Sequence, residues 1–372
     1  MKVERLSFQK FRNLREGEIH PDPETNVIYG ANAQGKTNLL EAVWLFTGGK
    51  SFRGARDAEL VAFGEENASL SLDFFSEERE QTARLFFAGG RRAGELNGVH
   101  KGAASQLVGS FCAVVFSPEH LSLVKEGPAG RRKFLDGAIC QMKPAYIGLL
   151  ARYNHTLSQR NALLKDIPRH SELIDTLEIW EEKLARYGGA VAAERLRYVR
   201  GLSKCAEERY NGISGGKETL RAEYAPDYLE GCAEDPASLA GRLMEALKEA
   251  RRNDVYAGFT SVGPHRDDLS LSISGISARS FGSQGQQRSV VLALKLSEAQ
   301  LLLESHGEKP VVLLDDVLSE LDVDRQDYLL HSVDGWQVFI TCCDPVSVMR
   351  QKKGAAFEVR NGLVQQRETG RL

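Results

Sequence analysis

The sequence predicts an α/β fold in which mixed sheets surround a phosphate-holding loop and an α-helical lobe is inserted between the two halves. Three observations carry this expectation. Residues 1–116 read as short alternating strands with hairpin signals. Residues 119–258 are rich in Leu, Ala, Arg and Glu and contain few strand runs. From 259 the strand pattern resumes. The expected borders are therefore 1–118 for the N-terminal half of the first lobe, 119–258 for the helical insert and 259–372 for the C-terminal half.

The opening MKVERLSFQKF lacks the apolar core of a signal segment and reads as a strand. Val27-Ile28-Tyr29 is a short apolar strand, and Leu39, Ala42, Val43 and Phe46 carry helical spacing. SLSLDFF, ARLFFAG and AGELNGV then alternate as hairpin strands. In the insert, Leu173, Leu177, Trp180, Leu184, Tyr187 and Val191 form a seam of under three heptads. Its phase slips before Leu196 and Val199, which predicts a short antiparallel helical arm and no long coiled coil. LSLSISG at 269–275 restores the strands, and VVLALKLSEAQLLLE at 290–304 is an apolar helix.

Composition excludes several classes. No window approaches 18 uninterrupted apolar residues, which argues against a membrane span. Six scattered cysteines (112, 140, 205, 232, 342 and 343), with no CxxC pair, fit reduced thiols in a cytoplasm better than a disulfide frame or a zinc site. A net charge of −3 gives no global case for nucleic acid, so any DNA contact must come from local patches.

Between strand and helix stands Gly30-Ala31-Asn32-Ala33-Gln34-Gly35-Lys36-Thr37, followed by Asn38, the pattern GxxxxGK[ST]. Backbone N–H groups of such a loop and of the helix behind it cradle phosphates. Lys36 reaches the β- and γ-phosphates, and Thr37 is placed to ligate Mg²⁺. PVVLLDDVLSELD, residues 310–322, is a buried-type strand ending in two aspartates. It puts Asp315 beside the phosphate loop as a partner of Mg²⁺ and Asp316 as the group that polarises attacking water; alternatively the pair caps the next helix.

SFGSQGQQRS at 280–289 is small and polar immediately before an apolar helix. A helix N-terminus with a serine hydroxyl and an unshielded glycine is an anion site, or else a flexible helix entry. Ser283, Gly285 and Gln286 would be redundant as a second phosphate grip within one subunit. They cease to be redundant if the grip closes on the nucleotide of another. That is the logic of ABC-type (P-loop) ATPase heads, whose signature turn SFGSQGQ resembles; SELD, with Ser319 and Asp322, resembles their D-loop.

KFRNL at 10–14, GANAQGKTNLLEA at 30–42, SPEHLSLVKEGPAGRRKFLD at 117–136 and LLDDVLSELDVDRQDYLL at 313–330 together resemble the ABC ATPase heads of SMC-type chromosome and repair proteins. They are closer still to the RecF family of bacterial recombinational repair, which YNHTLSQRNALLK at 153–165 and GPHRDDL at 263–269 also resemble. The resemblance implies an ATP- and Mg²⁺-dependent homodimer with weak, DNA-dependent ATPase activity. It implies that ATP-driven dimerisation clamps gapped, duplex or single-stranded DNA. It further implies mediator partners of the RecO/RecR type, delivery of RecA to gaps and support of the SOS response.

Two departures from the wider ABC pattern predict slow turnover. Asp316 stands where transporters carry a glutamate, and WQVFITCCDP at 336–345 offers Thr341 and Asp344 in place of the switch histidine. No Q-loop glutamine can be placed in SFRGARDAEL at 51–60. Arg12 either contacts phosphate or is an edge-strand residue. Arg131, Arg132 and Lys133, and Arg197, Arg200 and Lys204 on one helix face, are either DNA-phosphate contacts or a solvated face. His265, Asp267 and Asp268 read as a turn or as a metal cluster. A transporter ATPase subunit is the alternative function, opposed by the arginine-rich insert. A simple P-loop kinase or GTPase would have no use for SFGSQGQ.

Overall fold

Two kinds of strand burial organise the chain in a computed structural model, which describes residues 1–226, 228, 233–351 and 353–367; Cys232 lies outside them. In chain order the strands are β1 (Lys2–Gln9), β2 (Gly17–Ile19), β3 (Thr25–Tyr29), β4 (Asn67–Ser76), β5 (Arg79–Ala88), β6 (Arg91–Leu96), β7 (Val99–Ala103) and β8 (Ala113–Phe116). Then come β9 (Leu220–Ala225), β10 (Asp268–Ile273), β11 (Ile276–Ser277), β12 (Val311–Asp315), β13 (Val338–Cys342), β14 (Ala355–Arg360) and β15 (Leu363–Arg367). The helices are α1 (Lys36–Trp44), α2 (Ser122–Lys125), α3 (Pro128–Met142), α4 (Ala145–Asp166) and α5 (Leu177–Ser214). They continue with α6 (Pro236–Ala257), α7 (Ala278–Phe281), α8 (Gln284–His306), α9 (Val323–Ser332) and α10 (Val346–Gln351).

Contacts divide these elements into two units. The first comprises 1–121, 209–217 and 284–372; the second comprises 122–208 and 218–283. The first unit holds two six-stranded sheets, ordered β2-β1-β4-β5-β6-β7 and β15-β14-β3-β13-β12-β8. In the former, β4 and β5 alternate: Leu70, Leu72, Phe74, Leu85 and Phe87 are buried while their neighbours face out. That is the period-two signature of an antiparallel sheet with one wet face. Their turn uses Glu77 and Glu78 at φ 53° and 57°, the backbone of a tight hairpin without any glycine. In the latter sheet, β3, β13, β12 and β8 run parallel and are buried on both faces, which is why Ala113–Phe116 and Val311–Leu314 read as unbroken apolar runs and why Thr25, Asn26 and Thr341 are buried polar residues. Parallel order brings the C-terminal tips of β3, β12 and β13 to one edge, and α1 starts there.

The second unit is helical around a three-stranded sheet, β11-β10-β9. The expected first border, 118/119, lies beside the observed 121/122. The second differs: residues 259–283 count with the helical unit, because β10 pairs along its length with β9. The helix α5 packs against α6. A Cβ at Gly188 would collide with Leu243, and one at Gly189 with the Ala240 backbone, so α5 and α6 approach at backbone distance. Leu184, Val191 and Leu202 of α5 are buried, as are Leu239, Leu243 and Leu247 of α6. No described helix is long and apolar enough to cross a membrane.

Candidate nucleotide site

The loop between β3 and α1 is shaped by two glycines in conformations and close approaches that a side chain would not tolerate. Gly30 has φ 146° and a Cβ there would strike the Val359 carbonyl; Gly35 has φ 117° and faces Asn13 Oδ1 and Leu14. Ala33 is left-handed at φ 62°. Lys36, 8% exposed, curls back and donates to the carbonyls of Gly30 at 2.7 Å and Ala31 at 3.1 Å. Those carbonyls hold the ammonium where phosphate oxygens would take their place. Neighbouring segments brace the loop. Asn13 Nδ2 donates to the Ala33 carbonyl, Asn38 Nδ2 to Asn13 Oδ1 at 2.6 Å, and the Asn361 N–H to Gln34 Oε1 at 2.6 Å. The Cys343 thiol donates to Asn32 Oδ1.

The two aspartates at the tip of β12 take different environments. Asp315 is buried and accepts from Thr37 Oγ1 at 2.8 Å and Thr341 Oγ1 at 2.9 Å, both through Oδ1. Burial pushes its carboxyl up, against the pull of the two hydroxyls and of Arg53, and the Asp316 charge pushes it further. Both hydrogen-bond donors to this carboxylate are neutral hydroxyls, and with the Thr37 hydroxyl it forms an oxygen donor set suited to Mg²⁺. Asp316 is exposed, left-handed at φ 53°, and its N–H donates to Thr341 Oγ1 at 2.8 Å. Ser319 Oγ donates to the Asp316 carbonyl at 2.8 Å. Neither aspartate caps the short 3₁₀ turn at Leu318–Glu320. Asp344 instead accepts from the Val346 N–H at the start of α10.

The loop opens on a cleft of about 860 Å³ lined by Lys36, Thr37, Asn38, Asp316 and Thr341 on one part of its wall and by residues 58–59 and 61–65 on another. Arg12 and Arg53 line it too. Arg12, left-handed at φ 53°, is held by a carboxylate that sequence reasoning did not single out. Its Nε and Nη2 donate to Glu41 at 2.9 and 3.0 Å, its Nη1 to the Glu59 carbonyl. Glu41 is 0% exposed and also accepts from Ser51 Oγ. Arg53 Nη1 donates to Asn38 Oδ1 at 3.0 Å. In SFRGARDAEL the informative residues are thus Ser51 and Arg53. Glu41 sits on the buried face of α1, a position that reads as core and gave no separate signal.

Ser283 precedes the first turn of α8 and is exposed; Gly285 and Gln286 are half-buried in that turn. A Cβ on Gly285 would lie 3.5 Å from Arg325 of α9. Arg325 also ion-pairs with Asp322, whose carboxylate caps α9 by accepting the Arg325 N–H at 3.0 Å.

In the second unit the structure turns one of the expected DNA contacts, Arg131, into packing. Arg131 is 4% exposed: Nε and Nη2 each donate to Asp268 at 2.7 Å and Nη1 to the carbonyls of Leu123 and Glu126. An arginine so committed cannot also meet DNA phosphates. Arg132 is half-buried and donates to the Asp267 carbonyl at 2.8 Å. Lys133, Arg197, Arg200 and Lys204 are exposed, with Arg197 paired to Glu194 and Arg200 to Glu234.

GPHRDDL belongs to the same network. Buried Arg195 grips Asp136 and the Pro264 carbonyl, and Tyr153 donates to His265 Nδ1 at 2.6 Å. Asp267 accepts from Tyr224 and Tyr228, and burial raises its pKa. His265, Asp267 and Asp268 thus point to separate partners, and among the described residues no group of three or more His, Cys, Asp or Glu side chains could hold a metal ion. The turn is what the stretch builds.

Comparison with known proteins agrees with this geometry. The family model described as RecF/RecN/SMC N terminal domain matches residues 2–364. The DNA replication and repair protein RecF of Agathobacter rectalis is 42% identical over 343 residues, 92% of either chain. That of Acetivibrio thermocellus is 37% identical over 92% of this chain and 94% of its own. A solved structure of the recombination mediator protein RecF-ATPrS in the RecFOR pathway superposes with a TM-score of 0.92 at 36% identity, covering 98% of each chain. The Smc head domain of Pyrococcus furiosus, at 17% identity and a TM-score of 0.55, shares the fold. Matched by the family model over residues 2–364 and similar to RecF proteins over nearly its whole length, this protein belongs to the RecF family of SMC-like ABC ATPases.

Proposed function

We propose that the chain is an ATP-dependent DNA-binding protein of recombinational repair and replication, in which ATP acts as a clamp signal and slow hydrolysis resets the clamp. The observation that carries this is the pairing of a complete phosphate site, Gly30–Thr37 with Asp315, with a second anion-type turn at Ser283–Gln286. The first site would hold ATP by its backbone cradle and Lys36, with Thr37 and Asp315 holding Mg²⁺, which screens phosphate charge. The second would close on the γ-phosphate bound by a second copy of the chain. Two modest basic surfaces, with Lys133, Arg197, Arg200 and Lys204 as their exposed cations, then act together on DNA. Joined surfaces bind far more tightly than either alone.

Asp316 would orient the attacking water, and Thr341, bonded to the Asp316 N–H and to the Asp315 carboxylate, would hold both aspartates in register. The relatives' names and the RecFOR title support a further expectation. The loaded dimer would work in the cytoplasm with mediators of the RecO/RecR type to bring RecA to gapped DNA, and so support the SOS response.

Light scattering of the purified chain with ATP, ADP and a non-hydrolysable analogue, with and without gapped DNA, tests the clamp. ATP and the analogue should dimerise the wild type and ADP should not. Lys36→Met should lose nucleotide binding while keeping a cooperative fold. Ser283→Arg should bind ATP as a monomer and fail to dimerise. Dimerisation of Ser283→Arg on ATP would remove the second anion site from the scheme.

A further inference from the structure

Phe63 is fully exposed, at 106% of its reference surface, and it lines the cleft that holds Lys36 and Thr37. A single exposed phenyl needs no explanation by itself. This one differs in where it stands and in how firmly its backbone is set. Val61 bridges Phe11, the Ala62 N–H donates to the Lys10 carbonyl at 2.8 Å, and the Glu65 N–H closes a turn onto the Ala62 carbonyl at 3.0 Å. Gly64, at φ 84°, allows that turn, and Lys10 pairs with Glu65 at 2.8 Å across it. A tethered turn therefore presents an uncovered aromatic face at a fixed place on the wall.

The wall is chemically divided. The stretch at 35–38 is polar and cationic and suits phosphate, whereas Val61, Ala62 and Phe63 are an apolar strip flanked in sequence by Glu59 and Glu65, whose charge repels phosphate. A nucleoside triphosphate has the same division, with anionic phosphates at one end and a flat π-faced base at the other. Its base can go only where the phosphates are not. A volume of about 860 Å³ is ample for both ends.

We infer that Phe63 is the base-binding platform of this site: its ring stacks on the purine of the bound triphosphate and sets the preference for a purine over a pyrimidine nucleotide. The inference rests on the proposal that Gly30–Thr37 binds ATP, and adds the residue that selects the base. Stacking of a base on an aromatic ring is worth about tenfold in affinity when the ring is removed, and purines, with the larger face, gain more than pyrimidines.

Titration of the full chain with Mg-ATP, Mg-CTP and inorganic tripolyphosphate tests this. Wild type should prefer ATP to CTP. Phe63→Ala should lose about tenfold for ATP, bring ATP and CTP together, and bind tripolyphosphate as the wild type does. Phe63→Trp should keep ATP affinity, with an indole emission that ATP quenches and tripolyphosphate does not. Unchanged ATP affinity and base preference in Phe63→Ala would overturn the platform while leaving the phosphate loop intact. Equal loss of tripolyphosphate in Phe63→Ala would also overturn it, since the ring would then be supporting the loop. A wild type that binds neither ATP nor tripolyphosphate would overturn the nucleotide proposal and the platform with it.

Discussion

Arg325 Nε donates to Ser289 Oγ at 2.8 Å, joining the first turn of α9 to α8 one turn beyond Gly285. Ser289 Oγ in turn donates to the Gly285 carbonyl at 3.0 Å, and the other side of the guanidinium holds Asp322. One arginine thus fixes the SELD turn against the glycine-rich entry of α8. Arg325→Met should weaken ATP-driven dimerisation at least about tenfold, the scale of one lost charge-assisted hydrogen bond. Monomer ATP affinity should hold, because Gly30–Thr37 is untouched. Light scattering against protein concentration measures the first and nucleotide titration the second; equal loss in both would refute the division of labour.

Asp316 should matter for turnover and little for binding. Asp316→Asn keeps the backbone bond to Thr341 and removes the carboxylate charge. Loss of a group that orients and activates water costs on the order of 10²–10⁴ in rate. Single-turnover hydrolysis should fall by that order while ATP titration is unchanged, and the dimer should persist longer on gapped DNA. Unaltered hydrolysis would leave Asp316 as a turn residue.

Arg131 should behave as a structural residue. Its side chain is 5% exposed and that of Asp268 is 36% exposed, so the pair is partly screened and lies at the low end of the range for broken buried pairs. Arg131→Ala should cost about 3 kcal/mol of stability in urea, and Arg131→Lys should recover little, because an ammonium cannot match the two-point contact. Arg197→Ala and Lys204→Ala, at exposed positions, should stay within about 0.5 kcal/mol and report instead on DNA affinity and its salt slope.

The contribution of His265 to stability should fall on mild acidification. Burial lowers the pKa of His265 to about 4, and its neutral form donates from Nε2 to the Thr260 carbonyl while accepting from Tyr153. Unfolded, the imidazole titrates near its ordinary 6.5, so between about 6.5 and 4 the unfolded chain binds more protons. Stability is fully present above that window and is lost as pH falls through it, by up to about 3 kcal/mol from this group. His120, also buried and pushed well down by burial and by Lys295, acts in the same direction. Urea midpoints of the wild type and of His265→Gln at pH 7.5, 6 and 4.5 isolate this group: the wild type should lose more stability on acidification than the variant.

Legibility followed range. The phosphate loop, the aspartate pair and the hairpins were readable, because each depends on residue types within a dozen positions of one another, whereas the end of the helical insert was not, since β10 joins it only by pairing with the distant β9. Glu41 was not: a carboxylate on the core face of α1 gains meaning only from Arg12 and Ser51, which the chain brings from 29 residues before and 10 after. The basic stretch Arg131-Arg132-Lys133 looked alike along the sequence, yet tertiary structure buries the first, half-buries the second and exposes the third.

What the sequence by itself determined is the phosphate chemistry. Gly30 and Gly35 set the loop's backbone, and the Lys36 and Thr37 side chains stand on the first turn of the helix that begins there, so local spacing alone places all four. What only the tertiary structure decided is the use of the remaining charges. Asp268 lies 137 residues from Arg131, and Asp315 lies 278 residues from Thr37. Whether a carboxylate at such a distance pairs with an arginine, waits for a cation or faces water is set by strand order and burial. The cost of removing a charge from water makes each buried one take a partner, and the fold supplies it.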